Sequence, residues 1–182
     1  MADTVILVGF MGAGKSSVGR LLARRLGRCF VETDDMIVAR EGCSIPTIFA
    51  THGEEYFRAA EAEAVRLLAL KRGDVIATGG GLPCREGMPE ALRELGTVVW
   101  LGGDFATLYT RARRAGERPM LAGRTWADVE ALYRARAPFY RRADLTVDTS
   151  ALGPDQVAAH VALLLAERAR GTGAGAARTS GA

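Results

Sequence analysis

Short apolar runs alternate with longer amphipathic segments along the chain. The apolar runs are bounded by Gly, Asp or Thr, as strands commonly are, and the segments between them repeat their apolar positions with a helical period. Continuous apolar strands separated by helices predict a parallel sheet covered on both faces, which is a doubly wound α/β fold. The predicted strands are 5–8, 29–31, 75–77, 98–101 and 145–147, and the predicted helices are 15–26, 35–41, 54–71, 89–95, 105–115, 126–141 and 155–168.

The chain of 182 residues is long enough for one domain, because domains commonly contain roughly 100–200 residues. We predict that residues 1–170 form it. The tail 171–182 is rich in Gly, Ala, Ser and Thr, and a segment with so little apolar surface to bury is predicted to be disordered. The loop 116–124 carries two arginines and flanking glycines, so it suits either a mobile lid over a charged ligand or a plain surface loop.

Composition narrows the classes of protein that the chain could belong to. Hydrophobic residues make up 48% and charged residues 25% of a chain with a net charge of +3, which is ordinary for a soluble globular protein. We expect no nucleic-acid partner, because basic and aromatic residues form no stripe. We expect no membrane span, because the early apolar run 5–8 is far shorter than the roughly 20 residues required. Three widely spaced cysteines favour free thiols in a reducing compartment, so we expect a cytoplasmic protein.

The strongest motif is GFMGAGKS at residues 9–16, which matches G-x-x-x-x-G-K-[ST] completely. A strand is predicted before it and a helix after it, as a phosphate-binding loop (P-loop) requires. Its glycines let backbone N–H groups turn toward an anion, and the positive end of the following helix adds to that field. Lys15 is expected to reach the β- and γ-phosphates of a nucleoside triphosphate, and the Ser16 hydroxyl to bind Mg²⁺. The contacts predicted for this loop are Gly12, Ala13, Gly14, Lys15, Ser16 and Ser17.

The loop identifies a nucleoside triphosphate but not the reaction. The chain contains no Asn, so the N-K-x-D motif with which GTPases read guanine cannot exist here. We therefore predict a small kinase, with a non-catalytic ATP-binding module as the alternative from a different class.

Acidic residues at 32–35, with the sequence ETDD, follow the second predicted strand. Doubly wound sheets bind ligands at this end of their strands. Asp34 could accept the proton of an attacking hydroxyl, and Glu32 could reach a metal through water. The residues alone leave an alternative equally open, because Asp34 or Asp35 could cap the following helix.

Three further segments are weak signals when taken singly. Arg58 and Glu61 are three residues apart and would share one helical face, so Glu61 could hold the guanidinium in place. Glycines 79–81 follow the third predicted strand and would allow close backbone approach to a ligand. Arg136 stands near the end of a helical run.

The complete set of motifs resembles that of the shikimate kinases. The resemblance covers residues 2 to about 168 and is highly specific, because the motifs occur in order and at close spacing. They are GxxGxGKS, an acidic D/E-x-D after the second strand, F-R-x-x-E, GGG, R-P-x-L and R-A-P-x-Y.

The resemblance implies a fold, a reaction and a cellular role. The sheet order would be 2-3-1-4-5, with a substrate-binding insert at about 33–61 and a lid at about 112–124. The enzyme would use ATP and Mg²⁺ to phosphorylate the 3-hydroxyl of shikimate, on the pathway to chorismate and the aromatic amino acids, and it would be a monomer. A related kinase that acts on gluconate or a nucleoside monophosphate is the nearest alternative.

The resemblance also implies roles for individual residues around shikimate. Asp34 would bind a ring hydroxyl and act as the base, while Arg58 and Arg136 would bind the carboxylate, a task suited to guanidinium geometry. The remaining implied substrate contacts are Gly79, Gly80, Gly81, Phe49 and Phe57.

On the nucleotide side, Arg118 would move in with the lid and touch both the γ-phosphate and shikimate. Arg111 would stack on adenine, with the segment near Pro154 as the other wall, although Arg113 and Arg114 are close enough in sequence to compete for this role. The chain departs from the commoner pattern at Glu32, the first acid of the motif, where Asp is more usual, and at Met120, where Leu is more usual.

Overall fold

Parallel strands and helices alternate along the chain in the computed structural model, which describes residues 3–70, 73–114, 121 and 123–176. The strands are β1 (Thr4–Val8), β2 (Phe30–Glu32), β3 (Val75–Ala77), β4 (Gly96–Gly102) and β5 (Leu145–Asp148). The helices are α1 (Lys15–Leu26), α2 (Thr33–Glu41), α3 (Ile45–Leu68), α4 (Met88–Leu95), α5 (Phe105–Arg114), α6 (Trp126–Tyr140) and α7 (Pro154–Ala176). A turn of 3₁₀ helix, Leu82–Cys84, lies between β3 and α4.

The described strands form one sheet in the order β2-β3-β1-β4-β5. This confirms the predicted doubly wound fold and its strand order. All residues of the central strand β1 are buried, and Ile6 pairs with Ile76 of β3 on one side and with Val98 of β4 on the other. Helices cover both faces of the sheet, which explains why the strand sequences are continuously apolar.

Helix α1 lies close against the sheet because it carries a glycine where it crosses β2. A Cβ atom added to Gly19 would lie 2.3 Å from the ring of Phe30. The buried side of the helix also includes Val18 and Leu22. This contact aims the N-terminus of α1 at the edge of the sheet where the parallel strands end.

The segment from α2 to α3 has a small hydrophobic cluster of its own, formed by Ile37, Ile48, Phe57 and Ala64. The structure extends α3 further toward the N-terminus than the sequence predicts. Ser44 caps it by accepting a hydrogen bond from the Thr47 amide, and a proline stands in its first turn. The predicted start at residue 54 marks a break instead, because Gly53 interrupts the helix with φ 80° and ψ 179°.

Helix α7 ends at Ala176, beyond the predicted helix end at 168 and inside the segment 171–182 that composition predicts to be disordered. Residues 177–182 lie outside the described residues. None of the described helices is long and apolar enough to cross a membrane.

Candidate active site

Two cavities meet at the ends of the parallel strands, and Lys15 and Ser16 line both of them. The first, which we call the nucleotide cavity, has a volume of about 410 Å³. The second, the acceptor cavity, has a volume of about 420 Å³. The nucleotide cavity is lined by Gly12, Ala13, Gly14, Lys15, Ser16, Ser17, Val18, Arg111, Thr149, Leu152, Gly153, Pro154 and Val157. The acceptor cavity is lined by Met11, Lys15, Ser16, Glu32, Asp34, Asp35, Ile45, Phe49, Phe57, Arg58, Glu61, Thr78, Gly79, Gly80, Gly81 and Arg136.

The P-loop joins β1 to α1 and packs against α5. A Cβ atom added to Gly12 would lie 2.0 Å from the carbonyl oxygen of Leu108, so the loop can approach α5 only with glycine at this position. Gly14 has φ 86° and directly precedes α1. The Lys15 ammonium donates hydrogen bonds to the carbonyls of Gly9 at 2.8 Å and Phe10 at 3.2 Å, which holds it across the loop.

Ser16 and Glu32 bring oxygen atoms together at the wall shared by the two cavities. The Ser16 hydroxyl donates a hydrogen bond to one carboxylate oxygen of Glu32, and Arg20 donates to the other oxygen at 2.7 Å. A hydroxyl beside a carboxylate is a suitable donor set for Mg²⁺, which takes few protein ligands when nucleotide phosphates supply the rest. The described residues contain no cluster of three His, Cys, Asp or Glu side chains that could hold a metal ion.

Among the described residues, Arg111 is the arginine that faces the nucleotide cavity. Its guanidinium donates to the carbonyls of Thr149 at 2.9 Å and Ser150 at 3.1 Å, so its plane is held against the cavity wall. Arg113 instead lies over the ring of Tyr109, 5.8 Å from the centroid. Arg114 is exposed and is not part of the described wall.

Asp34 lies in the first turn of α2, and its Oδ1 atom is buried without a hydrogen-bond partner among the described residues. Burial raises the pKa of this carboxyl above its ordinary value, while the Lys15 ammonium opposes the rise. The capping alternative is wrong, because the N-cap of α2 is Glu32 and no side chain caps the helix. A buried acceptor that faces a cavity without a partner is suited to receive a donor from a ligand.

Two guanidinium groups converge beside Gly81. A Cβ atom added to this glycine would lie 3.3 Å from Arg58 Nη1 and 3.3 Å from Arg136 Nη2. Glu61 is buried and accepts a hydrogen bond from Arg58 Nη1 at 2.8 Å. Burial raises the pKa of the Glu61 carboxyl, and Arg58 opposes that rise. The convergence of two cations in one cavity favours an anionic group of a ligand.

The acceptor cavity also has an apolar part of its wall. Phe49 and Phe57 pack with their ring centroids 4.8 Å apart, and Phe57 is buried whereas Phe49 is 37% exposed. The Arg58 guanidinium lies 5.5 Å from the centroid of the Phe57 ring, so the cavity offers carboxylate and guanidinium groups next to a hydrocarbon surface.

The family model for shikimate kinase matches residues 11–166 of the chain. The chain belongs to the shikimate kinase family. It is 47% identical over 149 residues to the shikimate kinase of Moorella thermoacetica, covering 82% of this chain and 86% of that one. It is 50% identical over 142 residues to the enzyme of Symbiobacterium thermophilum, covering 76% of this chain and 82% of that one.

Solved structures agree with this assignment. A shikimate kinase from Acinetobacter baumannii in complex with shikimate superposes with a TM-score of 0.87 at 34% identity, covering 92% of this chain and 95% of that one. A gluconokinase from Sinorhizobium meliloti has a TM-score of 0.57 at 19% identity, which shows a shared fold alone. The prediction of a shikimate kinase is confirmed, and the gluconate alternative is not favoured.

Several residues that support the shikimate kinase site were not predicted from the sequence. Tyr140 ends the R-A-P-x-Y motif, and its hydroxyl donates to the Gly80 carbonyl at 2.6 Å. Thr33 accepts a hydrogen bond from the Gly79 amide at 3.0 Å. Arg20 pairs with Glu32. The R-A-P-x-Y motif could have indicated Tyr140, whereas no sequence motif indicates the roles of Thr33 and Arg20. Arg118 and most of the predicted lid lie outside the described residues.

Proposed function

We propose that this shikimate kinase transfers the γ-phosphoryl group of ATP to the 3-hydroxyl of shikimate, with Asp34 as the base. The observation that carries the proposal is the arrangement of the acceptor cavity. Its wall contains Asp34, whose Oδ1 atom has no hydrogen-bond partner among the described residues, and the Arg58 and Arg136 guanidiniums, and it shares Lys15 with the nucleotide cavity. A cyclic polyol with one carboxylate matches this combination of groups.

Binding would orient the acceptor before any bond changes. Arg58 and Arg136 would hold the substrate carboxylate, and the two phenylalanines would pack on the ring. Fixing the carboxylate at one side of the ring leaves the hydroxyl groups on the side of Asp34. Such alignment is a large part of the acceleration of a two-substrate reaction.

Transfer forms a bond between the substrate oxygen and the γ-phosphorus and breaks the bond between that phosphorus and the oxygen that leaves with ADP. The hydroxyl proton passes to Asp34, whose raised pKa makes it a stronger base than an exposed carboxylate. Lys15 would offset negative charge on the phosphoryl group, and the resemblance to the family implies the same task for Arg118. Phosphoryl transfer depends mainly on such positioning and charge neutralisation.

Ser16 and Glu32 are the residues that would hold Mg²⁺. The ion, when bound with the nucleotide, would neutralise phosphate charge. Arg111 and Pro154, which line the nucleotide cavity, would contact adenine. The free cysteines are compatible with the cytoplasmic location that we propose.

A coupled assay of ADP release tests the function, with shikimate, quinate, gluconate and AMP offered separately as acceptors with Mg-ATP. We expect strong turnover with shikimate alone. Turnover with a different acceptor would contradict the proposed substrate but not the kinase fold.

Replacing Asp34 by Asn tests the base. We expect kcat to fall roughly 10²–10⁴-fold, the usual contribution of general base catalysis, while ATP binding measured by calorimetry is retained. An unchanged kcat in Asp34→Asn would rule out Asp34 as the base.

A further inference from the structure

Arg85 connects the glycine loop to the helix that carries Arg58. It directly follows the 3₁₀ turn Leu82–Cys84, so its backbone belongs to the loop that begins with Gly79–Gly81. Its side chain reaches across to α3, where Nη1 donates a hydrogen bond to the Arg58 carbonyl at 2.6 Å. The same nitrogen lies 4.0 Å from Glu61 Oε2. Arg85 itself does not belong to the described wall of the acceptor cavity.

Glu61 needs a positive charge nearby, because its side chain is only 2% exposed. Among the described residues its closest cation is Arg58, whose Nη1 atom lies 2.8 Å from Glu61 Oε2. Arg58 is shared, however, because it also donates to the exposed Glu54 at 2.7 Å and faces the acceptor cavity. A guanidinium that turned fully toward a ligand would leave Glu61 less well neutralised, and a buried carboxylate without a partner is costly.

Arg85 provides two further interactions next to the Arg58–Glu61 pair. It is a second cation near Glu61, and its hydrogen bond to the main chain limits the movement of the Arg58 backbone relative to Gly81. The guanidinium of Arg58 and that of Arg136 both lie against Gly81, so a shift of α3 relative to the glycine loop would move the Arg58 guanidinium relative to that of Arg136.

We propose that Arg85 is a positioning residue for acceptor binding, which fixes the Arg58 segment of α3 to the glycine loop and shares the charge of Glu61. The proposal rests on the proposed role of Arg58 in binding the substrate carboxylate. It concerns binding of the acceptor and not the chemical step, because the contacts of Arg85 are with the Arg58 carbonyl and Glu61.

Steady-state kinetics of Arg85→Ala, with shikimate and ATP varied separately, test the proposal. We expect the KM for shikimate to rise about tenfold, the size expected for loss of a hydrogen bond from a charged group. The kcat and the KM for ATP should stay within about twofold of wild type, since the nucleotide cavity and Asp34 are untouched. Arg85→Lys keeps the positive charge and should recover part of the lost affinity, whereas Arg85→Gln should not.

Arg93→Ala is the matched control. Like Arg85, Arg93 donates to a main-chain carbonyl of another segment, that of Arg142, but Arg93 is exposed whereas Arg85 is half-buried, and it does not line either cavity. We expect its kinetic constants to equal those of wild type. If Arg93→Ala and Arg85→Ala raise the KM for shikimate equally, the effect is general destabilisation and the proposal fails.

The double variant Arg58→Ala/Arg85→Ala separates this proposal from the proposed function. If Arg85 acts mainly through the Arg58 guanidinium, Arg85→Ala should raise the KM for shikimate much less in the Arg58→Ala background than in wild type. Additive effects of the two changes would overturn the positioning role. If Arg58→Ala leaves the KM for shikimate unchanged, the proposed carboxylate site is wrong. If Arg58→Ala raises this KM strongly and Arg85→Ala does not change it, only the proposed role of Arg85 is refuted.

Discussion

Asp34 and Gly79 show how closely the acceptor site is packed at the scale of single residues. Gly79 is not among the glycines with positive φ. Glycine is needed at this position because it lacks a side chain and not because of its backbone torsion angles. A Cβ atom added at this position would lie 2.7 Å from Asp34 Oδ1, which is closer than such atoms can approach. The missing side chain therefore leaves the room in which the carboxylate lies.

Replacing Gly79 by Ala should displace the Asp34 carboxylate and leave the P-loop unchanged. We expect the kcat/KM for shikimate to fall by roughly tenfold or more, on the order of the loss when a catalytic group is moved by about 1 Å, with ATP affinity retained. Parallel kinetics and ATP titrations check this. Gly171→Ala is the control, because an added Cβ there meets nothing within 4 Å. Wild-type kinetics in Gly79→Ala would contradict the proposed position of Asp34.

At the scale of elements, the P-loop is held by packing against α5 as well as by its own turn. Gly12 and Gly14 both have positive φ, 80° and 86°. Their surroundings differ, because a Cβ at Gly12 would lie 2.0 Å from Leu108 O whereas one at Gly14 would meet only a Val18 methyl group at 3.7 Å. Gly14 is therefore required for its backbone conformation alone, whereas Gly12 is required both for its backbone conformation and for the close contact with α5.

Alanine at these two positions should therefore have unequal effects on stability. Gly14→Ala should lower the free energy of unfolding by about 1–2 kcal/mol, the cost of a left-handed backbone conformation for an L-residue. Gly12→Ala should cost about 1–3 kcal/mol more, because overpacking adds to the same strain. Urea unfolding without nucleotide measures both values. Equal losses of unfolding free energy in the two variants would contradict this, because they would mean that α5 moves away from the new side chain of Gly12→Ala without a cost in stability.

At the scale of the whole molecule, six large hydrophobic side chains of the described residues are exposed. Four of them lie in the segment 33–70 around α2 and α3, and Phe49 among these lines the acceptor cavity. Single exposed apolar residues are normal on a monomer. The members of this set are Val38, Phe49, Tyr56, Leu70, Trp126 and Leu163.

We accordingly expect a monomer in solution. Sedimentation equilibrium should give a mass of 19.4 kDa, with no dependence on protein concentration up to roughly 100 μM, because a stable dimer would need roughly 800 Å² of complementary surface on each copy. A mass that rises toward twice this value in that range would refute the prediction. Saturating shikimate and ATP should not change the result, since both proposed sites are built within one chain.

The sequence by itself determined the features whose groups lie close together along the chain. The P-loop is one such feature, because eight consecutive residues supply its turn, its lysine and its hydroxyl. The Arg58–Glu61 pair is another, since helix geometry brings residues three apart onto one face. The strand order and the roles around shikimate were predicted through the resemblance to a family and not from these local rules.

Only the tertiary structure decided which distant groups meet. It brings Arg136 beside Arg58, places Arg85 against the Arg58 carbonyl and selects Arg111 over its neighbours as the arginine that faces the nucleotide cavity. It also begins α3 at Ile45, where an N-cap serine and a proline were readable signals in the sequence. The physical reason is that contacts between elements depend on how helices lie on the sheet, which requires the packing of many side chains at once, whereas a motif needs only neighbouring backbone.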